Sequence, residues 1–217
     1  MEVIVTQAVG AAVFLVGTIL LGRRLRRVPD ERLAKRASRV SHLLFWVALI
    51  LPGALGIIHP GLTHYDELLG VSGLPGARLW IPAGAALACV GIGLMVAANR
   101  ALMRTGRGAA AFVLTERLVG GGVYGRTRNP MSLGLYAACL GVAMIAGSLT
   151  VTLGVLLILL PVHAFNLKYF EERELELRYG ESYAEYKRIV PFLIPSFKRG
   201  GALSAQGRRG GIGGSGV

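Results

Sequence analysis

The chain has 217 residues, 53% of them hydrophobic, and a formal net charge of +12. A mean hydropathy of +0.55 beside a pI near 10.5 excludes an ordinary soluble domain: a membrane protein combines the two, with apolar residues facing lipid and Lys and Arg collected on the cytoplasmic side. The bilayer is therefore the first expected partner. The basic residues flank apolar runs and form no basic amphipathic helix, so nucleic acid is not expected as a partner. Cys89 and Cys139 both fall inside apolar runs and read as small core residues, not as a disulfide or a metal pair. No ligand spacing links His42, His59, His64 and His163, so no metal is expected.

In chain order, residues 3–22 are apolar over about the 20 residues a helix needs to cross a bilayer core. Arg23, Arg24, Arg26 and Arg27 follow this run and do not precede it, which favours an anchor over a cleaved leader and puts the N-terminus outside. A linker continues through Pro29, Lys35, Arg36 and Arg39. A second span over residues 40–58 leads outward, with a kink at Pro52-Gly53 of the kind membrane helices tolerate. The outer loop, 59–77, holds Asp66 and Glu67 but no Lys or Arg. A third span, 79–98, is rich in Ala and Gly, which permits close helix packing. Residues 100–128 are basic and expected on the cytoplasmic side. A fourth span (131–145), a short turn at Gly147-Ser148-Leu149-Thr150 and a fifth span (151–170) complete the predicted fold. That fold is an all-α integral membrane bundle of about five transmembrane helices with a cytosolic C-terminal helical cap.

The cap comprises a polar helix to Tyr179, ended by Gly180, and a second helix over 181–190, ended by Pro191. Tyr183, Tyr186 and Ile189, three residues apart, are expected on one face, packed at the membrane interface where Tyr is favoured. From Arg199 the chain is rich in Gly, Ser and Arg and is expected to be disordered. The organisation predicted is 1–113 for three membrane helices and linkers, 114–198 for a site-bearing region with the last two spans, and 199–217 for the tail.

Two polar boxes flank the last hairpin, so both are predicted on one membrane face. In the first, Gly120-Gly121-Gly122 leaves backbone open to a ligand or simply makes a turn. Tyr124 adds an aromatic face, Arg128 a fixed cation, and Asn129 an amide with donors and an acceptor. Pro130 suits the first turn of the fourth span, whose N–H groups favour an anionic group. A positive-inside anchor with a helix cap explains Arg126, Arg128 and Pro130 but leaves Tyr124 and Asn129 without a role. In the second box, Lys168 stands four residues before Glu172 and pairs with it along a helix. Glu171 has no partner at such spacing and is left for a bound cation, unless the pair is simply a solvated helix start. His163 and Asn166, one turn apart inside the fifth span, line a pocket or hydrogen-bond between helices.

Leu118-Val119-x-x-Gly122-Val123-Tyr124-x-x-x-Arg128-Asn129-Pro130-Met131, followed two spans later by Glu171-Glu172-x-x-Leu175-x-x-x-Tyr179-Gly180-x-x-Tyr183-x-x-Tyr186, resembles the isoprenylcysteine carboxyl methyltransferase family. It is similar also to the membrane phospholipid N-methyltransferases. The resemblance covers about residues 114–195. It implies S-adenosylmethionine bound on the cytosolic side, with contacts from Leu118, Val119, Gly122, Tyr124, Asn129, Pro130, Met131, Ser132 and Glu171, beside the Arg128 cation. Asn129 stands where the family usually has His, Ser132 where it usually has Tyr, and Glu116 where some members have His. Leu167 occupies the place where prenylcysteine enzymes carry a substrate-binding Arg, which weakens the case for a carboxylate acceptor; with His163 and Asn166 it marks the acceptor side. The function implied is methyl transfer from S-adenosylmethionine to a lipophilic acceptor, an isoprenylcysteine-like carboxylate or a lipid amine, entering sideways from the bilayer. No catalytic base is legible, and the oligomeric state is not. The alternatives are an NADPH-dependent membrane reductase of the sterol reductase type and a non-catalytic membrane protein.

Overall fold

The computed structural model describes residues 2–59, 61–109 and 113–196; the tail predicted from Arg199 lies outside them. They form helices α1 (Glu2–Arg27), α2 (Glu31–Ile58), a short α3 (His64–Leu69), α4 (Arg78–Gly106), α5 (Pro130–Ala146), α6 (Leu149–Tyr179) and α7 (Glu181–Ile189). No strand occurs among the described residues, only an isolated bridge between Ala109 and Val113. α1, α2, α4 and α6 are long and apolar enough to cross a membrane, and α5 is a shorter apolar helix. This is the predicted all-α membrane architecture, and the chain is a multi-pass integral membrane protein.

The expected linker before the second span is mostly helix. Asp30, in extended backbone, accepts from the Leu33 N–H at 2.6 Å and so caps α2 at its first turn. Ala34, Ala37, Ser38 and Ser41 then form a buried stripe, while Arg32, Lys35, Arg36 and Arg39 stay exposed. Further along, a π-helical turn over Phe45–Ile50 precedes Pro52. Pro52 has no N–H for the carbonyl of Ala48 four residues back, and α1 crosses α2 at that carbonyl: a Cβ on Gly10 would collide with it.

Two packing units result. α1, α2 and α6 share a core, with Phe14, Phe45 and Leu49 packed together in the middle and Leu25, Ala34, Ala37 and Phe170 towards one end. Val5, Val9, Val13, Val16 and Leu20 face outward from α1 as a lipid-facing stripe. Among the described residues α4 packs chiefly along α5. A Cβ on Gly91 would come 2.5 Å from the Gly134 carbonyl oxygen, and one on Gly134 2.6 Å from that of Gly91; Gly84 and Gly141 repeat the arrangement two turns away at 2.7 and 2.5 Å. Only glycine allows backbones so close. Cys89 lies on the exposed side of α4, not in the core expected for it; Cys139 is partly buried.

At the far end, the Asp66 carboxylate accepts from the Thr150 N–H at 2.7 Å, and the Leu74 N–H donates to Gly147 O at 2.8 Å. The loop bearing α3 is thus tied to the α5–α6 turn. At the near end α6 runs unbroken past the predicted span limit, so the expected polar helix is its extension, ending at Gly180 with φ +54°.

Candidate active site

The loop before α5 folds into one tight turn, Gly122–Gly125, entered through Gly122 at φ +61°. A Cβ on Gly121 or Gly122 would meet nothing within 4 Å, so this backbone faces open space. The turn is fixed from the far side by the segment after α7. The Arg128 N–H donates to Pro191 O at 2.9 Å, the Asn129 amide to Phe192 O at 2.8 Å, and the buried Thr127 hydroxyl to Leu193 O at 2.9 Å. The Ser196 N–H donates to Arg126 O at 2.9 Å, and the Tyr186 hydroxyl to Tyr124 O at 2.7 Å. Asn129 precedes the first turn of α5 but makes no side-chain cap; its amide anchors the strap instead.

The two boxes meet through Glu172. Its Oε1 accepts from Arg128 Nη1 at 2.8 Å and from Lys168 Nζ at 3.0 Å, and its Oε2 lies 3.4 Å from Lys187 Nζ. The Lys168 pairing is the one the spacing predicts. Arg128, expected as a fixed cation beside the cofactor, borders both cavities and is paired with Glu172, both side chains being 8% exposed.

A π-helical turn at Leu167–Glu171 separates the fates of the two carboxylates; such turns are frequent at functional sites. Glu171 makes no hydrogen bond or ion pair with any described residue. It lines two adjoining cavities.

The smaller cavity, about 140 Å³, is bounded by Leu118 and Val119 and by the aromatic cluster of Tyr179, Tyr183 and Tyr186. Burial raises the hydroxyl pKa values of Tyr124, Tyr183 and Tyr186 above the ordinary tyrosine value, so all three stay neutral. Tyr183 and Tyr186 are 2% exposed and pack on Leu118, Leu175 and Tyr179 with Val190. This corrects the interface-facing stripe expected of them; Ile189 turns outward, 45% exposed. Arg178 supports this wall: it pairs with buried Glu174 at 2.9 Å and donates to the Thr115 carbonyl, which Tyr179 also holds at 2.7 Å.

The larger cavity, about 550 Å³, runs between α2, α4, α5 and α6. It takes in Met131 and Ser132 of the first box and His163, Asn166 and Leu167 of α6. His163 and Asn166 also bond between helices, as the alternative reading had it. Tyr136 Oη lies 3.0 Å from His163 Nδ1, and Asn166 Oδ1 accepts from Thr18 at 2.9 Å and Ser41 at 3.1 Å. Tyr124, Arg128, Asn129 and Glu171 border both cavities, whereas Gly122 and Pro130 line neither.

Sequence reasoning missed Ser38, His42 and Leu102, which also border both cavities. For the first two a signal existed: Ser38 belongs to the small-residue stripe of α2, and His42 follows it by one turn.

Neither the curated proteins nor the solved structures compared with the chain yield a match. The family model described as phospholipid methyltransferase matches residues 79–182, from α4 to the first turn of α7, taking in the first box and the second as far as Gly180. The resemblance read from the boxes is thereby borne out: this region is similar to the phospholipid methyltransferase family.

Proposed function

We infer that the chain transfers a methyl group from S-adenosylmethionine to a lipophilic acceptor, with the cofactor in the smaller cavity and the acceptor in the larger. The observation that carries this reading is the unequal state of the carboxylate pair. Glu172 is held by three cations, while Glu171 borders both cavities and has no partner among the described residues.

The residues fit the cofactor. It carries a sulfonium and an ammonium, both cationic, and an unpaired, partly buried carboxylate favours such a charge. The open backbone of Gly121 and Gly122 leaves room for a ligand, and the neutral tyrosines give an adenosyl group aromatic surfaces. When bound, the cofactor supplies an activated methyl on positive sulfur. Everything else falls to this chain: Glu171 holds the cationic end, Arg128 fixes Glu172 so that Glu171 keeps its register, and the apolar walls exclude water. Catalysis by alignment suits such a site.

The acceptor reaches the larger cavity sideways between α2 and α4, a route narrower than the one expected between the last two spans and the rest. The site lies on the cytoplasmic side with the N-terminus outside. This orientation is supported by the basic residues at the end of α1, the start of α2 and the end of α4, all at the site's end of the bundle.

Thermal shift of the purified protein in detergent, with S-adenosylmethionine and with NADPH, tests the assignment. Stabilisation by the first alone is expected; stabilisation by NADPH alone would move the chain to the reductase class, and by neither would remove the cofactor role.

A further inference from the structure

α2 brings to the site a histidine that lies outside the stretch matched to the family. His42 borders both cavities, as Glu171 does. Its Nδ1 is 2.9 Å from the Ser38 carbonyl oxygen. A carbonyl only accepts, so Nδ1 carries the hydrogen and Nε2 keeps its lone pair. Among the described residues nothing donates to Nε2.

The other basic groups nearby are engaged or unsuited. The hydroxyls of Tyr124, Tyr183 and Tyr186 hold their protons. Lys187 sits in ion pairs with Glu172 and Glu176. His163 is bonded to Tyr136 and stacked on Phe45 at 4.1 Å. It lies eight residues before Glu171, about 12 Å deeper along α6 at a rise of 1.5 Å per residue. Glu171 neutralises the cationic cofactor in the reading above.

We propose that His42 is a catalytic residue whose Nε2 takes the proton that a lipophilic amine acceptor must lose. This rests on the methyltransferase reading. The acceptor arrives as an ammonium; Nε2 takes one of its protons, and the N–H electrons stay on nitrogen as its lone pair. That lone pair forms the N–CH₃ bond as the CH₃–S bond breaks, the broken bond's electron pair staying on sulfur. The imidazolium keeps its Nδ1–H bond to Ser38. The charged groups around it are Glu171, Glu174 and Arg178 from α6 and Arg128 from the start of α5. A carboxylate acceptor releases no proton and needs no such base.

The test uses the full chain in lipid nanodiscs, as wild type and as His42→Asn, which keeps an N–H donor towards Ser38 but no base. S-adenosylhomocysteine binding, measured by calorimetry, is expected to agree within about twofold between them. Absence of binding to wild type would indict the methyltransferase reading and not His42. Nitrogen-15 spectra of histidine-labelled protein should show a neutral Nδ1–H tautomer at pH 7.5, absent from His42→Asn and shifted by added decylamine. A tautomer protonated on Nε2, or no response to decylamine, overturns the proposal. With labelled methyl donor and decylamine, loss of the base should lower kcat about 100-fold, the low end for a general base, with KM for decylamine little changed. The pH–rate limb that wild type shows should disappear in the variant; an unchanged profile also overturns the proposal.

Discussion

Glu171 and Glu172 are neighbours in sequence and opposites in environment. Consecutive helical residues point about 100° apart, and the π-helical turn that ends at Glu171 falls between the two. Replacing Glu172 by Gln removes the shared anchor of Arg128, Lys168 and Lys187. Breaking such a buried pair costs about 3–5 kcal/mol, so a lowered Tm in detergent is expected. Glu171→Gln should leave Tm nearly unchanged but weaken S-adenosylmethionine binding at least tenfold by calorimetry; normal binding would take Glu171 out of the site. The Lys168–Glu172 pair was legible because helical neighbours four apart are fixed by local geometry. Arg128 was not, since its partner lies across an intervening hairpin. Ile189 shows a subtler limit. Three-residue spacing drifts about 60° per step on a helix of 3.6 residues per turn, so Ile189 rotates off the face that Tyr183 and Tyr186 share. Val190, seven residues after Tyr183, returns to that face and is buried.

At the scale of elements, hydropathy located the apolar runs but not where their helices end. α2 begins nine residues before its expected span because a charged amphipathic turn scores as linker even when Ala34, Ala37, Ser38 and Ser41 pack. A period-sensitive reading of those small residues would have placed Ser38 and His42 on a buried face. The α4–α5 pairing was legible only as a tendency: Ala- and Gly-rich sequence permits close packing, but only coordinates pair Gly91 with Gly134 and Gly84 with Gly141. Gly91→Val would force a side chain against the α5 backbone. Overpacking of this kind costs about 1–3 kcal/mol. Thermal unfolding should fall accordingly, whereas Gly93→Ala, with nothing within 4 Å of its Cβ position, should not move it. The strap over Pro191–Ser196 is a third element that sequence reasoning passed over. Its carbonyls carry no side-chain signature, yet they receive Thr127, Asn129 and the Arg128 N–H.

For the whole molecule, what matters is that α4 leans on α5 while α1, α2 and α6 form their own core. The larger cavity lies where those two units face each other, so its walls come from opposite ends of the sequence. That is why the two boxes, both near the last hairpin, were recognisable, whereas the contribution of α2 was not. It also gives the proposed lateral route a definite address. Trp46 of α2 and Met95 and Val96 of α4 line the cavity, and Val96 is 43% exposed. A bulkier residue there should obstruct a lipid more than a soluble donor. Val96→Trp is therefore expected to raise KM for a long-chain acceptor about tenfold and leave S-adenosylhomocysteine binding unchanged. A short-chain acceptor should be affected far less, because it does not need the full width of the gap. Equal losses for both chain lengths would place the entrance elsewhere, and weakened cofactor binding would mean that the two cavities are not separately walled at α4.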